Sequence, residues 1–164
     1  MSRKIWLACY LMINLTACSR SGHRKSNELI NGSTSAENNT VKIEQIDGVY
    51  QIPVEINGIP MHFVFDTGAS MISISETEAV FLYKQGKLSR EDIKGSARFF
   101  DASGNISEGT LINLREVKIG NKVLDNIQAT VVHNLGAPLL FGQSALQKFG
   151  KVSIDYRQMI IEFE

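Results

Sequence analysis

Cysteine is nearly missing from this 164-residue chain: there are two, Cys9 and Cys18, and everything after position 18 has none. The folded part must therefore hold together without disulfides and carries no thiol chemistry. An excess of charge of either sign is missing too. Seventeen Lys+Arg balance seventeen Asp+Glu, which leaves no electrostatic argument for a nucleic-acid partner. Histidine is scarce, and His23, His62 and His133 offer no ligand pair at close spacing, so no metal site and no cofactor is implied. His62 reads instead as a strand residue facing polar surroundings. The apolar run over residues 5–15 is too short for a membrane-spanning helix, which takes ~20 residues.

That short run has the layout of a secretion signal, because Arg3 and Lys4 precede it as a positive n-region. It closes on Leu15-Thr16-Ala17-Cys18, which resembles the bacterial lipobox, where cleavage leaves the cysteine first and lipidated. An ordinary signal with a chance cysteine at its end is the plainer alternative. Residues 19–40 are rich in Ser, Asn, Gly and charge, with only Leu29, Ile30 and Ala36 apolar. That is too little to bury, and it fits a flexible spacer. The expected organisation is a signal peptide over 1–17, a lipidated cysteine and tether over 18–40, and one folded domain over 41–164, long enough for a single core. The expected place is the bacterial cell envelope, with the domain lipid-anchored to a membrane and lying in the periplasm or at the cell surface. Against that background the sequons at Asn31 and Asn105 are chance matches.

From Val49 the pattern is one of short strands punctuated by Gly, Asn and Pro. Residues 49–56 run into Asn57-Gly58, a hairpin signal, and residues 61–65 return. Residues 71–74 alternate as a strand does. Ser75 with Glu78 forms a capping box that opens a helix to about Lys84, with Gly86 as its stop. Residues 97–100 and 106–114 flank the polar turn Asp101-Ala102-Ser103-Gly104-Asn105 as a second hairpin. Residues 117–123 then echo residues 54–60, each a strand, a glycine–asparagine turn and a return, too short an echo to establish a duplication. Residues 143–149 predict a helix stopped by Gly150, and residues 151–156 and 159–163 a closing hairpin. The sum is an all-β domain, a small closed barrel-like sandwich with one or two short helices.

The stretch with chemistry in it is Asp66-Thr67-Gly68-Ala69-Ser70, entered from the apolar run Met61-His62-Phe63-Val64-Phe65. A carboxylate set straight after a buried strand is costly unless the site uses it. Gly68 supplies the freedom of a sharp turn, and Thr67 adds a hydroxyl on a β-branched frame. The stretch resembles the active-site loop of retropepsin-like, single-lobe aspartic proteases. A second motif, Leu139-Leu140-Phe141-Gly142 followed by a short helix, matches the family's apolar run, whose glycine lies beneath the catalytic loop. The resemblance implies Asp66 as the catalytic residue and Thr67, Gly68, Ala69 and Gly142 as its support. It also implies a flap over the substrate, with Ala102, Ser103 and Gly104 at its tip.

One aspartate is not enough for this reaction, since peptide hydrolysis here needs one carboxylate to take a proton and another to give one. The chain holds a single Asp-Thr-Gly, and Asp101, Asp125 and Asp155 lack its loop context. The resemblance therefore implies a retropepsin-like homodimer that takes an extended peptide or protein substrate, with Asp66 of each copy on the twofold axis. Two departures bear on how the copies meet. An acid–arginine brace of the retroviral enzymes is replaced by Ser70 and Gln143, which could still hydrogen-bond. A hairpin also ends the chain where those enzymes have a single interface strand. Gly142-Gln143-Ser144-Ala145-Leu146 misses the G-x-S-x-G elbow at its last position, and no histidine follows His133. The serious alternative is a monomeric, non-catalytic module that binds a peptide or partner on the same fold.

Overall fold

Inward-facing residues set the strands, and the turns between them carry the residues that tolerate a left-handed backbone. The computed structural model describes residues 39–100, 104 and 106–164. The expected signal peptide, Cys18 and most of the tether lie outside the described residues, as do Asp101, Ala102, Ser103 and Asn105. In chain order the strands are β1 (Asn39–Lys42), β2 (Glu44–Ile46), β3 (Val49–Ile56), β4 (Ile59–Phe65) and β5 (Ile72–Ser75). Helix α1 (Glu76–Lys84) follows, then a single 3-10 turn (Arg90–Asp92), β6 (Ile93–Phe100), β7 (Ile106–Ile119) and β8 (Lys122–Val132). The chain closes with β9 (Leu140–Phe141), α2 (Gln143–Leu146), β10 (Val152–Asp155) and β11 (Ile160–Phe163).

Strand β3 turns Ile52, Val54 and Ile56 into the core, the period of two that one buried sheet face demands. Asn57 and Gly58 carry it into β4 with φ of 48° and 83°, the two left-handed residues of a tight hairpin turn. The main sheet runs β2-β3-β4-β9-β5-β8-β7-β6. A further pairing of Glu55 with Lys118 and Ile56 with Val117 joins β3 back to β7 and closes the sheet into a barrel. Phe63 and Phe141 meet edge-on inside it, with ring centroids 6.3 Å apart. The all-β, closed, retropepsin-like barrel with two short helices is the fold the sequence implies.

Helix α1 starts where the capping pattern places it. The Ser75 hydroxyl oxygen accepts from the backbone N–H groups of Thr77 (3.0 Å) and Glu78 (3.4 Å), and the Ser75 hydroxyl itself donates to the Glu78 carboxylate. Gly86, at φ 68°, ends it.

Three boundaries differ from the sequence reading. Strand β7 runs on to Ile119 instead of stopping at Leu114, because its inward face changes parity: Ile112 and Leu114 are buried, then Val117 and Ile119. Arg115 and Glu116 are exposed between them, opposite a β8 irregularity in which Asn126 takes φ 56°. Helix α2 ends at Leu146 instead of running to residue 149. Lys148 and Phe149 bond back only three residues, to Ala145 and Leu146, at 2.9 and 3.1 Å. The Gly150 N–H leaves the helix altogether for the Glu164 carbonyl at 3.2 Å. The third difference is the start of the domain.

Asn39 and Thr40, assigned to the tether by composition, are the first residues of β1, which pairs with β11 in a separate three-stranded sheet β1-β11-β10. Asn39 is 4 % exposed. Its amide donates to the Ile119 carbonyl at 2.9 Å and its carbonyl accepts from the Asn121 N–H at 2.8 Å. Gly120 makes room for it, since a Cβ there would strike the Asn39 side chain. Asn39→Ala strands the buried Ile119 carbonyl and frees the half-buried Asn121 N–H, and should cost about 1–3 kcal/mol. A lower denaturant midpoint at unchanged slope in the full chain checks this.

Candidate active site

The chain path explains the site. Strand β4 pairs with β9 in parallel, Phe65 opposite Phe141, while β5 lies on the other side of β9, Ser73 opposite Leu140. The connection from β4 to β5, residues 66–71, must therefore cross over the end of β9. That end is Gly142. A Cβ on Gly142 would fall well inside the contact distance of the Met71 carbonyl and 2.7 Å from that of Ala69. Only glycine lets the loop pass so close.

Asp66 opens this loop. Its backbone N–H bonds to the Phe141 carbonyl at 3.2 Å, which continues the β4–β9 ladder by one step. Its side chain is half-buried, and Oδ1 accepts the Gly68 N–H at 2.8 Å, an Asx turn that fixes the carboxylate plane. The Ala69 N–H bonds to the Asp66 carbonyl at 3.4 Å. Thr67 and Gly68 are exposed and Ala69 is half-buried. Among the described residues no other carboxylate shares a hydrogen bond with Asp66, and the Thr67 hydroxyl makes none. The loop thus presents one oriented carboxylate and one exposed hydroxyl at the surface.

Helix α2 clamps the loop from below. Backbone N–H groups of Gln143 and Ser144 donate to the Ala69 and Ser70 carbonyls at 2.9 and 3.0 Å. The Gln143 side-chain amide donates to the Thr67 carbonyl at 2.9 Å, and the Ser144 hydroxyl oxygen accepts the Ile72 N–H at 2.9 Å. Ser70 and Gln143, which could have hydrogen-bonded, share no hydrogen bond among the described residues. The Gln143 amide reaches past Ser70 to the main chain of Thr67, because the loop crosses the helix start with its carbonyls turned down. Ser144 is the residue the sequence reading missed. It stood out only as a failed nucleophile elbow, and its hydroxyl instead braces the exit of the loop.

The remaining candidates separate cleanly. The hairpin expected as a flap is β6–β7, paired from Ile93–Ile112 out to Phe100–Ile106. Gly104 near its tip is exposed at φ 83°, and Phe100 and Ile106 are 75 % and 63 % exposed. His62 is exposed on β4, and His133 shares a 3.0 Å hydrogen bond with Thr110. Asp125 pairs opposite Glu116 in the ladder. Asp155 ends β10 and accepts the N–H groups of Arg157 and Gln158 at 2.8 and 2.9 Å. The Gln158 backbone and side-chain N–H groups, then Arg157, hold the Asp155 carboxyl below the usual carboxylate range. Its bonds therefore help the hairpin fully above the ordinary carboxylate pKa of ~3.9 and fail only as pH falls through the lowered value.

Beside the loop lies a shallow depression of about 250 Å³ whose walls include Phe65, Thr67, Leu146, Phe149 and Val152. Gln143 and Gln147 line it together with these, so its walls mix apolar side chains with polar ones.

Residues 52–148 match the family described as "gag-polyprotein putative aspartyl protease". Among solved structures, the chain is similar to a retropepsin-like aspartic protease from Rickettsia conorii, at 24 % identity over 76 % of this chain and 97 % of the other, with a TM-score of 0.55. At that identity the structural likeness speaks to the fold. No curated protein sequence gives a significant match.

Proposed function

Because the chain belongs to the gag-polyprotein aspartyl protease family of retropepsin-like proteins, we propose that it is an endopeptidase whose active site pairs the Asp66 carboxylates of two copies. The observation that carries this reading is the loop itself. One half-buried carboxylate is oriented by Gly68, carried on a loop that α2 clamps, and set beside a hydroxyl on an open surface. Two such carboxylates about 3 Å apart cannot both ionise, so they share a proton, as in aspartic proteases generally.

The chemistry follows from that shared proton. The ionised carboxylate takes a proton from water as the water oxygen bonds to the peptide carbonyl carbon. The protonated carboxyl gives its proton to the carbonyl oxygen. The tetrahedral intermediate then collapses: the C–N bond breaks, the departing nitrogen takes a proton, and a new carboxyl and amine leave. Thr67 and Gly68 keep the carboxylates coplanar, and the β6–β7 hairpin serves as the flap. An extended peptide fits best, adding strand-like hydrogen bonds between the two lobes.

Membrane attachment through Cys18 fits a site that needs two chains. Confinement raises effective concentration much as a short linker does, to something on the order of millimolar. Free in dilute solution, the chain should be mostly monomer, with specific activity on an unstructured protein at mildly acidic pH rising with enzyme concentration. A covalent tandem of two copies should lose that dependence, and Asp66→Asn in one half should silence it. Constant specific activity from a sedimenting monomer rules out the shared dyad. A dimer that binds but does not cut points to the binding-module reading.

Cys18→Ala tests the anchor independently. It should remove labelling by a fatty-acid analogue and release the chain from the membrane fraction, since several acyl chains on one terminus hold stably where a single one does not. Equal labelling of both forms would make Cys18 a bystander.

A further inference from the structure

Helix α1 is apolar on both of its sides. Ala79 and Leu82 face the core, yet Val80, Phe81 and Tyr83, turned the other way, are 45 %, 44 % and 48 % exposed. A surface helix ordinarily presents charged and polar groups to water. We propose that this outer face of α1 is a docking surface for an anionic lipid bilayer. The nearness of a bilayer rests on the attachment proposed through Cys18, and the face itself does not.

The face is a continuous strip. Val80 has Tyr83 and Lys84 as its neighbours one turn on, and Phe81 has Thr77 one turn back. At Thr77 a loop extends the strip: the Thr77 hydroxyl donates to the Leu135 carbonyl at 2.9 Å, and Leu135 is 70 % exposed. At the other end Lys84 and Lys87 form a basic rim. The Lys87 main chain is pinned there, its carbonyl accepting from the Asn57 side-chain amide and from Arg115 Nη2, both at 2.7 Å. Among the described residues neither lysine takes part in an ion pair. Arg115, by contrast, is already matched by the buried Asp92 at 3.7 Å. The exposed acid on the helix is Glu76, in its first turn. An anionic surface therefore draws the Lys84 end in more closely than the Glu76 end.

This chemistry suits a headgroup layer. Aliphatic and aromatic side chains enter the acyl boundary, a tyrosine keeps its ring apolar and its hydroxyl wet, and lysines meet anionic phosphates. A protein partner fits poorly by size. The outer face of a nine-residue helix is about 13 Å long and about 10 Å wide, far below the roughly 800 Å² per partner of a stable protein interface. A bilayer needs no such area when the domain is already held near it. Residues 19–38 separate Cys18 from β1 and have the composition of a spacer, with an r.m.s. reach of about 25 Å. Docking then sets orientation, and attachment is left to the anchor. Strand β5 runs from the exit of the Asp66 loop to the start of α1. The loop and the docking face thus lie at opposite ends of that strand, and docking leaves the loop end uncovered.

The test uses the full chain with Cys9→Ala and Cys18→Ala, so that one introduced thiol carries an environment-sensitive fluorophore. Val80→Cys places the label on the proposed face. Arg157→Cys is the control, because the neighbouring Tyr156 stacks on Tyr50 with ring centroids 5.2 Å apart, at the end of β3 away from the Asn57 turn that holds Lys87. On vesicles rich in phosphatidylglycerol the label at residue 80 should shift to shorter wavelength and be quenched by a lipid-borne quencher. The label at residue 157 should do neither. Lys84→Gln and Lys87→Gln should each weaken the response at residue 80 about fivefold, the weight of one cation near an anionic surface, and pure phosphatidylcholine should weaken it at least as much. A label at residue 80 that stays in water on vesicle-bound chain overturns the proposal. So does an equal response to both lipids, or a shift that follows protein concentration without lipid, which assigns the face to a second copy. Neither native cysteine remains in these chains, so a failure of lipidation at Cys18 shows in fatty-acid labelling alone and leaves this result standing.

Discussion

Asp66→Asn should abolish peptide hydrolysis while leaving the fold intact. Asparagine keeps the side chain's size and can still accept the Gly68 N–H, so the Asx turn survives. What disappears is the shared proton: neither side chain of an amide pair can take a proton from water or deliver one to a carbonyl. General acid–base catalysis is worth about 10²–10⁴-fold, and here both roles go at once, so the loss should sit at the upper end of that range or beyond. Removing two facing carboxylates also relieves their repulsion, so the dimer should hold at least as well as the parent. A statine-type inhibitor, which mimics the tetrahedral state, should bind the parent and fail on the variant. Hydrolysis by a well-folded Asp66→Asn variant would remove the dyad from the mechanism.

Gly142→Ala should be strongly destabilising for a single added methyl. The added carbon meets two main-chain carbonyls, those of Met71 and Ala69, and neither is the free end of a flexible side chain. Both belong to the loop held by Gln143 and Ser144, so relief means lifting the loop and giving up those bonds. Overpacking alone costs about 1–3 kcal/mol, and lost hydrogen bonds add to it, enough to lower Tm by about 10 °C or more. Gly150→Ala is the control: its added carbon would meet only the Glu164 carbonyl, at 3.9 Å, and stability should change by about 0.5 kcal/mol at most. Similar losses from both variants would mean that the crossing over β9 is looser than its geometry.

The sequence yields most where its signals are local. The Asn57-Gly58 turn, the Ser75 cap and the Gly86 stop each sit in a few consecutive residues, and each forms as read. The Asp-Thr-Gly loop and the glycine after β9 are equally legible, because both are short patterns after apolar strands. Legibility ends where one residue's role depends on a distant partner. Asn39 looks like spacer composition until Gly120, far along the chain, leaves room for its side chain. Strand β7 looks finished at Leu114 because its alternation breaks, although β8 carries a matching irregularity and the ladder continues. Ser144 reads as a failed nucleophile because its real partner, the Ile72 N–H, is fixed only when the loop crosses β9. The closure of β3 on β7 has no local signature at all.

The Asn39 stitch has a mechanical meaning. Any tension arriving along the N-terminal segment enters the domain at β1, a strand only four residues long and the outer member of a three-stranded sheet. Peeling such a strand from its end would ordinarily open one rung at a time, at low force. Here the first residue to take the load is the one fastened by its side chain to both sides of Gly120, at the bend between the two longest strands of the barrel. The pull is thereby shared with the β7–β8 turn of the main sheet before the β1–β11 rungs bear it alone.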